Sequence, residues 1–419
     1  MKKIAIIGAG FAGLAAAWEA VKSGYKVDIF EAEKLPGGLA SGLKNDKWLW
    51  SLEHHYHHIF QTDKDILNLL SEMNLNKKIF FKTVNTRSYF DKRAWSVDSP
   101  INLLRFSPLS FFDRLRVGFV IAFLKFLPNG RWLEKYSAKD FLIKTMGKAG
   151  WEILWQPLFD GKFGKQAGKI NMAWFWARIS SRSQQLGYYQ GGFLCLAEDM
   201  VEVLKSKGVK FHFSAPVLKI KSSNKKINVI LEKNKSLPFD NVLITLPSPV
   251  ASKLVDLPKN NLKGLSARTL VLELDKEFFI DQTYWLSIHE KNWPFLAVVE
   301  HTNLTNKKNY GNKTIIYVGK YLDKKESFYK LSKEEILKIY QPFLEKLSPG
   351  FNKYLKRSWI FDADFAQPLV FTNHSKEVPL IKTDMNGVYW VSMQHVYPWD
   401  CGINYAVKFG LEAVKYFND

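Results

Sequence analysis

The run KIAIIGAGFAGLAAAWEAVKSGYKVDIFE, residues 3–31, leaves the chain few ways to begin folding. Lys3 to Ile7 is a short apolar stretch suited to a buried strand. Gly8, Gly10 and Gly13 follow at once in the spacing G-x-G-x-x-G and open an Ala-rich helical segment. The three glycines serve different ends. Gly8 permits a tight turn, Gly10 lets a pyrophosphate approach the backbone, and Gly13 allows helix and strand to pack closely. The first helical turn, with Phe11 and Ala12, then offers unpaired N–H groups and the positive end of the helix dipole. A second apolar run, Lys26 to Phe30, ends in Glu31, about 20 residues past the fingerprint, where a carboxylate accepts from both hydroxyls of a ribose. That order of elements predicts an α/β fold with a Rossmann-type dinucleotide-binding domain.

Further motifs narrow the ligand. Gly37-Gly38 stands just past the second strand, where an extended FAD lying along the sheet needs bare backbone and a nicotinamide enzyme has no general need of it. Residues 47–60, KWLWSLEHHYHHIF, place four histidines in five positions. In an extended segment His55 and His57 share one face while His54, Tyr56 and His58 share the other, so the four do not converge. With no acid or cysteine at ligand spacing, no metal is expected. Residues 387–417, GVYWVSMQHVYPWDCGINYAVKFGLEAVKYF, repeat the pattern of apolar strand, turn and glycine-opened helix, giving a second helix N-terminus that can face a cofactor.

On these motifs the chain resembles the superfamily of FAD enzymes that holds the amine oxidases, protoporphyrinogen oxidases and phytoene desaturases. The stretch HHIF and the form YPxDRGxNYAV are close to its prokaryotic branch, with Cys401 standing where Arg is usual and Leu39 where many members carry Arg. Phrases such as WQPLFDGKFG (155–164), RISSRSQQLGYYQGGF (178–193), AVVEHTN (297–303) and FAQP (365–368) extend the likeness over nearly the whole chain. The resemblance implies FAD as cofactor, held by Gly8, Gly10, Phe11, Ala12, Gly13, Glu31, Ala32, Gly37, Gly38 and Leu39 at one end of the chain. It adds His55 and Tyr56 beside the isoalloxazine ring, Val217 at the adenine end, and Gly402, Ile403 and Asn404 from the C-terminal motif.

It also implies two interleaved domains: an FAD domain from residues 1–60, 190–250 and 380–419, and an α+β substrate domain from 61–189 and 251–379. The expected activity is hydride transfer from an amine, porphyrinogen-like or isoprenoid substrate to flavin N5, with His57 and His55 as the catalytic candidates. A membrane-associated isoprenoid desaturase, a non-redox flavin isomerase or mutase, and a flavin-binding scaffold without catalysis are the alternatives. No second glycine fingerprint provides a nicotinamide site, so the electron acceptor stays open among oxygen, a quinone and another protein.

Composition decides the compartment and partner class. Only Cys195 and Cys401 occur, which argues against a disulfide framework and for the cytoplasm, and the first strand begins too early to leave room for a secretion signal. A net charge of +20 is spread along the chain without any nucleic-acid-binding signature, so nucleic acid is not expected as a partner; a small-molecule or lipid substrate and the inner face of a membrane are. Residues 106–128, FSPLSFFDRLRVGFVIAFLKFLP, carry Arg114, Arg116 and Lys125 around a greasy run too short to span a bilayer. Three readings are compatible with it, a helix in the membrane interface, a helix lining an entry to a greasy site and a buried helix of the substrate domain. Arg178 and Arg182, one helical turn apart, read as an anion clamp or as surface charge.

Overall fold

The computed structural model describes residues 1–183, 185–223, 226–257 and 262–418, so Gln184 of the phrase at 178–193 lies outside the described residues. Five short strands, β1 (Lys3–Ile7), β2 (Lys26–Phe30), β3 (Lys210–His212), β4 (Asn241–Ile244) and β5 (Val388–Trp390), pair in parallel in the order β3-β2-β1-β4-β5. Their near-continuous apolar character follows from burial on both faces; Ile4, Ala5 and Ile6 are fully buried. Helix α1 (Phe11–Lys22) makes the crossover from β1 to β2. A Cβ on Gly13 would lie 2.0 Å from the Gly8 carbonyl oxygen, and one on Gly410 would lie 2.2 Å from that of Ala12. Glycine at these two positions is what lets α1 sit on its own loop and lets the last helix sit on α1.

Seven further helices position side chains discussed below: α2 (Lys64–Glu72), α3 (Pro100–Arg105), α4 (Phe111–Phe126), α5 (Gln156–Phe163), α6 (Met172–Ser181), α7 (Phe193–Ser206) and α8 (Ile403–Ala413). Between β3 and β4 the strands 219–223, 226–230 and 236–239 form an antiparallel sheet of their own. The second large sheet has seven strands, in the order 355–368, 264–274, 314–322, 297–300, 283–288, 85–90 and 93–95. Asn85–Phe90 pairs in parallel with Thr283–Ile288, so distant parts of the chain complete one sheet. Helices α4 to α6 pack a separate core that includes Phe106, Val117, Phe159, Phe163 and Trp174.

Three features of the fold are set by long-range pairing or packing. Within the mainly helical stretch 140–191, Gln185–Tyr189 is a strand between Ile59–Phe60 and Ile79–Thr83. The 14-residue strand Leu355–Pro368 carries charges on a half-exposed run, so its sequence lacks a clean alternation, and only its long pairing with Gly264–Leu274 defines it. Helix α4 is neither wholly buried nor polar on its outer face. It buries Val117, Val120 and Leu124 and exposes Phe112, Leu115, Phe119, Phe123 and Phe126 on the opposite side.

Candidate active site

Two glycine turns meet over the end of β1. Gly8 (φ +110°) donates its N–H to Phe30 O at 2.8 Å, and Gly37 (φ +109°) donates to Ala9 O at 2.9 Å. Gly10 and Gly37 form a bridge, and a Cβ on Gly38 would stand only 3.4 Å from the Gly10 Cα. A Cβ on Gly8 would lie 2.7 Å from the Thr245 hydroxyl and one on Gly37 3.1 Å from the Ser41 backbone, so the two turns themselves leave little room for side chains. Gly38, Leu39 and Ala32 remain exposed at their edge.

Glu31 does more than the sequence suggests. Its Oε2 accepts from the Ala9 N–H at 2.7 Å and its Oε1 from the Glu33 N–H at 2.9 Å, so it braces the glycine loop against the end of β2. A carboxylate has about four acceptor positions, which leaves capacity for ribose hydroxyls. Val217 is half-buried nearby, two residues after Ala215, whose N–H donates to Glu31 O.

Helices α1 and α8 both begin at a glycine, Gly10 and Gly402, with no side-chain cap and no acid in the first turn. Both therefore present bare N–H groups and positive dipole ends. Nothing stands within 4 Å of where a Gly402 Cβ would be. Phe11 turns its ring edge-on to Phe193, 6.5 Å away, so its share in the cradle is backbone. The same holds for Asn404: its buried side chain accepts from the Ile66 N–H and donates to Asp65, fastening the start of α2. Ile403 is buried and Ala12 half-buried.

The histidine segment enters alongside this cradle, with the Ser51 N–H on Gly191 O (3.0 Å) and the His54 N–H on Ser41 O (3.1 Å). Beyond Glu53 the chain bends and is not a strand until Ile59, so alternation fails and His55 and His57 do not share a face. His54 stacks on Phe361, and His55 turns to Thr269 with Nδ1 2.8 Å from its hydroxyl. Tyr56 packs edge-on to Trp285. His57 folds back and donates from Nδ1 to the His55 carbonyl at 2.7 Å, which leaves Nε2 as a bare acceptor, and its ring lies 6.3 Å from Phe193. Burial holds His57 down at about 4 and His55 at about 3, so both are neutral imidazoles at pH 7. Neither ring keeps the near-neutral value of a solvated imidazole.

Glu53 escapes a reading of the sequence. It is buried, accepts from the Tyr188 hydroxyl (2.8 and 2.9 Å) and the Phe193 N–H (2.6 Å), and desolvation lifts it to about 7. The one sequence signal is an acid placed directly before the histidine run.

Arg178 is not ordinary surface charge, whereas Arg182 is exposed. Arg178 pairs with Asp400, and Lys162 of α5 reaches both Asp400 oxygens at 3.4 Å. Burial would raise the Asp400 carboxyl, but Lys162 and Arg178 outweigh it and hold the group below its ordinary range. Cys401 beside it is pushed up to about 12 by burial and contacts Met393 O, which makes it an inert thiol.

The buried imidazoles predict acid lability. His55, His57, His58, His289, His301, His374 and His395 are all depressed to about 3 or 4, chiefly by burial. Each folded pKa lies below the unfolded value of about 6.5, so their contribution is fully present above that value and is lost as pH falls toward 4. Asp63, Glu53 and Glu300 act in the opposite sense, raised by burial to about 6, 7 and 8. They are three against seven. The urea midpoint is expected to fall steadily from pH 7 to pH 4.5, and a level or rising profile would contradict this.

Residues 11–416 match the family model described as flavin containing amine oxidoreductase. The mitochondrial protoporphyrinogen oxidase of Nicotiana tabacum is 25% identical over 175 residues, 41% of this chain and 34% of that protein. The 1-hydroxycarotenoid 3,4-desaturase of Flavobacterium sp. (strain P99-3) is 25% identical over 290 residues, 59% of this chain and 57% of that one. The chain thus spans about a third to a little over half of the length of these two relatives. A solved oxidoreductase from Methanosarcina mazei shares the fold at a TM-score of 0.75 and 18% identity, covering 99% of each chain.

Proposed function

The chain belongs to the flavin containing amine oxidoreductase family, as a flavin-dependent oxidoreductase with FAD as cofactor, and from that premise we propose that it takes hydride from an apolar organic substrate met at a membrane surface. The cradle fits the cofactor. Facing glycine turns provide a floor of bare backbone, Glu31 is placed for a ribose, and two uncapped helix N-termini suit the pyrophosphate and the flavin ring. When bound, FAD supplies the hydride-accepting centre at N5. The chain's own residues do the rest: Phe193, His57 and Tyr56 wall the approach, and His57 Nε2 is a neutral acceptor for a substrate proton donor.

One observation carries the membrane part of the reading, the outward face of α4. Phe112, Phe119 and Phe126 recur at i, i+7 and i+14 and are 80%, 76% and 82% exposed, with Leu115 and Phe123 between them. A shallow apolar groove of about 390 Å³ runs along Phe119, Phe123 and Phe126. Residues 100–136 hold six basic and two acidic side chains, a net of +4. Asp113 bonds to Ser110 and Glu134 to Ser375 and Tyr397, and neither makes an ion pair with these cations among the described residues. Apolar side chains ringed by cations suit a bilayer interface with anionic lipid. No helix among the described residues is long and apolar enough to cross a membrane. We place the protein at the inner face of the cytoplasmic membrane, a placement supported by its two free cysteines. On the apolar face of α4 we favour porphyrinogen-like or isoprenoid substrates over amines, a choice compatible with relatives named as a protoporphyrinogen oxidase and a hydroxycarotenoid desaturase.

Anaerobic mixing of holoenzyme with candidate polyprenyl, porphyrinogen and amine compounds tests the proposal, with bleaching of the flavin expected from the first two classes. His57→Ala is expected to slow bleaching by roughly 10²-fold, while His57→Gln, which keeps an acceptor, should lose less. Absence of flavin in the purified protein, or bleaching by amines alone, would overturn the reading.

A further inference from the structure

The cluster around Asp400 carries more cation than its carboxylate can balance. Lys162, Arg178 and Arg182 surround one acid, a net of +2 in a confined space. Lys162 and Arg178 are fully engaged. Lys162 is 12% exposed, on Asp400 and over the faces of Trp174 (5.5 Å) and Tyr321 (5.2 Å), and Arg178 holds Asp400 from over the Trp174 ring. Arg182, just past the end of α6, makes no ion pair among the described residues, yet the residue is exposed. The neighbouring Arg178 guanidinium is the main cause that holds it below its ordinary range, at about 9. His58 adds an independent sign: its Nδ1 is buried without a hydrogen-bond partner, close to both arginines.

The position is informative. Asp400 lies two residues before Gly402, the uncapped start of α8, and His58 follows directly on His57. Lys125, near the end of the exposed α4 face, donates to the carbonyls of Ile179, Ser180 and Arg182, so that face and the cations share the last turn of α6. An excess of closely held cation is costly unless an anion completes it. We propose that Arg182, backed by Arg178 and Lys162, receives an oxyanion of the substrate, a phosphate or carboxylate at the polar end of an otherwise apolar molecule. This rests on the proposed oxidoreductase reading and sharpens it, since the same cluster repels a protonated amine.

The test uses the FAD-loaded protein at constant ionic strength, titrated separately with inorganic pyrophosphate and with octanoate to distinguish the two oxyanions. Binding is read from the spectrum of the bound flavin and from the melting temperature. One of the two anions is expected to saturate, with Arg182→Gln weakening it at least tenfold, roughly the scale of one lost charge-assisted hydrogen bond. Arg182→Lys is expected to recover part of the loss, and Lys346→Gln on the distant helix Lys333–Leu347 to change nothing. Binding by neither anion, equal weakening by Lys346→Gln, or loss of FAD from Arg182→Gln with anion affinity intact would overturn the inference. Protein that carries no flavin at all would instead overturn the oxidoreductase reading, and the melting curves would still report the anion site.

Discussion

Replacing Phe112, Phe119 and Phe126 together by serine is expected to release the protein from vesicles containing anionic lipid while leaving its fold intact. The three rings are at least 76% exposed, so they contribute little to the packed core and their loss should not lower the melting temperature. Burying a Phe side chain in an apolar phase is worth about 1.5–3 kcal/mol. Three such rings sum to roughly 4.5 kcal/mol or more, which is about three orders of magnitude in partitioning. Co-sedimentation with mixed phosphatidylcholine and phosphatidylglycerol vesicles measures it. Salt should weaken the wild-type association without abolishing it, because the charges around α4 are screened and the apolar contacts are not. Wild-type protein that stays in the supernatant would refute the membrane reading. So would concentration-dependent self-association that the serine variant removes, since that outcome assigns the face to a second copy of the chain.

Gly13→Ala is expected to yield protein with little or no flavin. The added carbon would stand 2.0 Å from the Gly8 carbonyl oxygen and 3.2 Å from its carbon, both backbone atoms that no rotamer change can move. Either α1 lifts from its loop or the loop shifts, and a shifted loop takes the Ala9 N–H away from Glu31. Overpacking alone costs about 1–3 kcal/mol, and an orphaned buried donor about 1–3 kcal/mol more. Flavin affinity should fall at least tenfold, on the scale of about 1.4 kcal/mol per decade. Gly118→Ala is the control: it lies within α4, its nearest neighbour is a Leu103 methyl at 3.5 Å, and helix propensity favours the change. Equal flavin content and melting temperature in both variants would show that the close packing of α1 on its loop is not what shapes the cradle.

Legibility from sequence follows the range of the interactions. β1 and β2 match their sequence-based bounds, and α1 opens at the glycine loop as expected, because strand, glycine turn and helix start are set by neighbours within a few residues. The helix Lys333–Leu347 is equally plain, since Ser332 and Glu335 form a capping box written into the sequence. The histidine run defeats such reading because alternation presumes a strand, and the bend after Glu53 answers to partners such as Thr269 and Phe361 far along the chain. Glu53 itself becomes visible only once Tyr188 and Phe193 enclose it. The two faces of α4 are both apolar, so periodicity has no contrast to work with, and only the packed core shows which side faces out. The surplus of cation at Arg182 likewise depends on Asp400, more than two hundred residues away.

The interleaved sheets bear on how the protein is made. β1 at the start of the chain pairs with β4, Ile4 opposite Asn241, and β4 then waits for Val388 of β5. In the second sheet Asn85–Phe90 has no parallel neighbour until Thr283–Ile288 has been synthesised. A ribosome releasing this chain from the N-terminus therefore delivers strand edges and greasy helices long before their partners exist. A chain that stops short of residue 388 lacks the strand that covers β4 and the helix whose Gly410 lies on α1. Its fate is expected to be degradation or aggregation rather than partial activity.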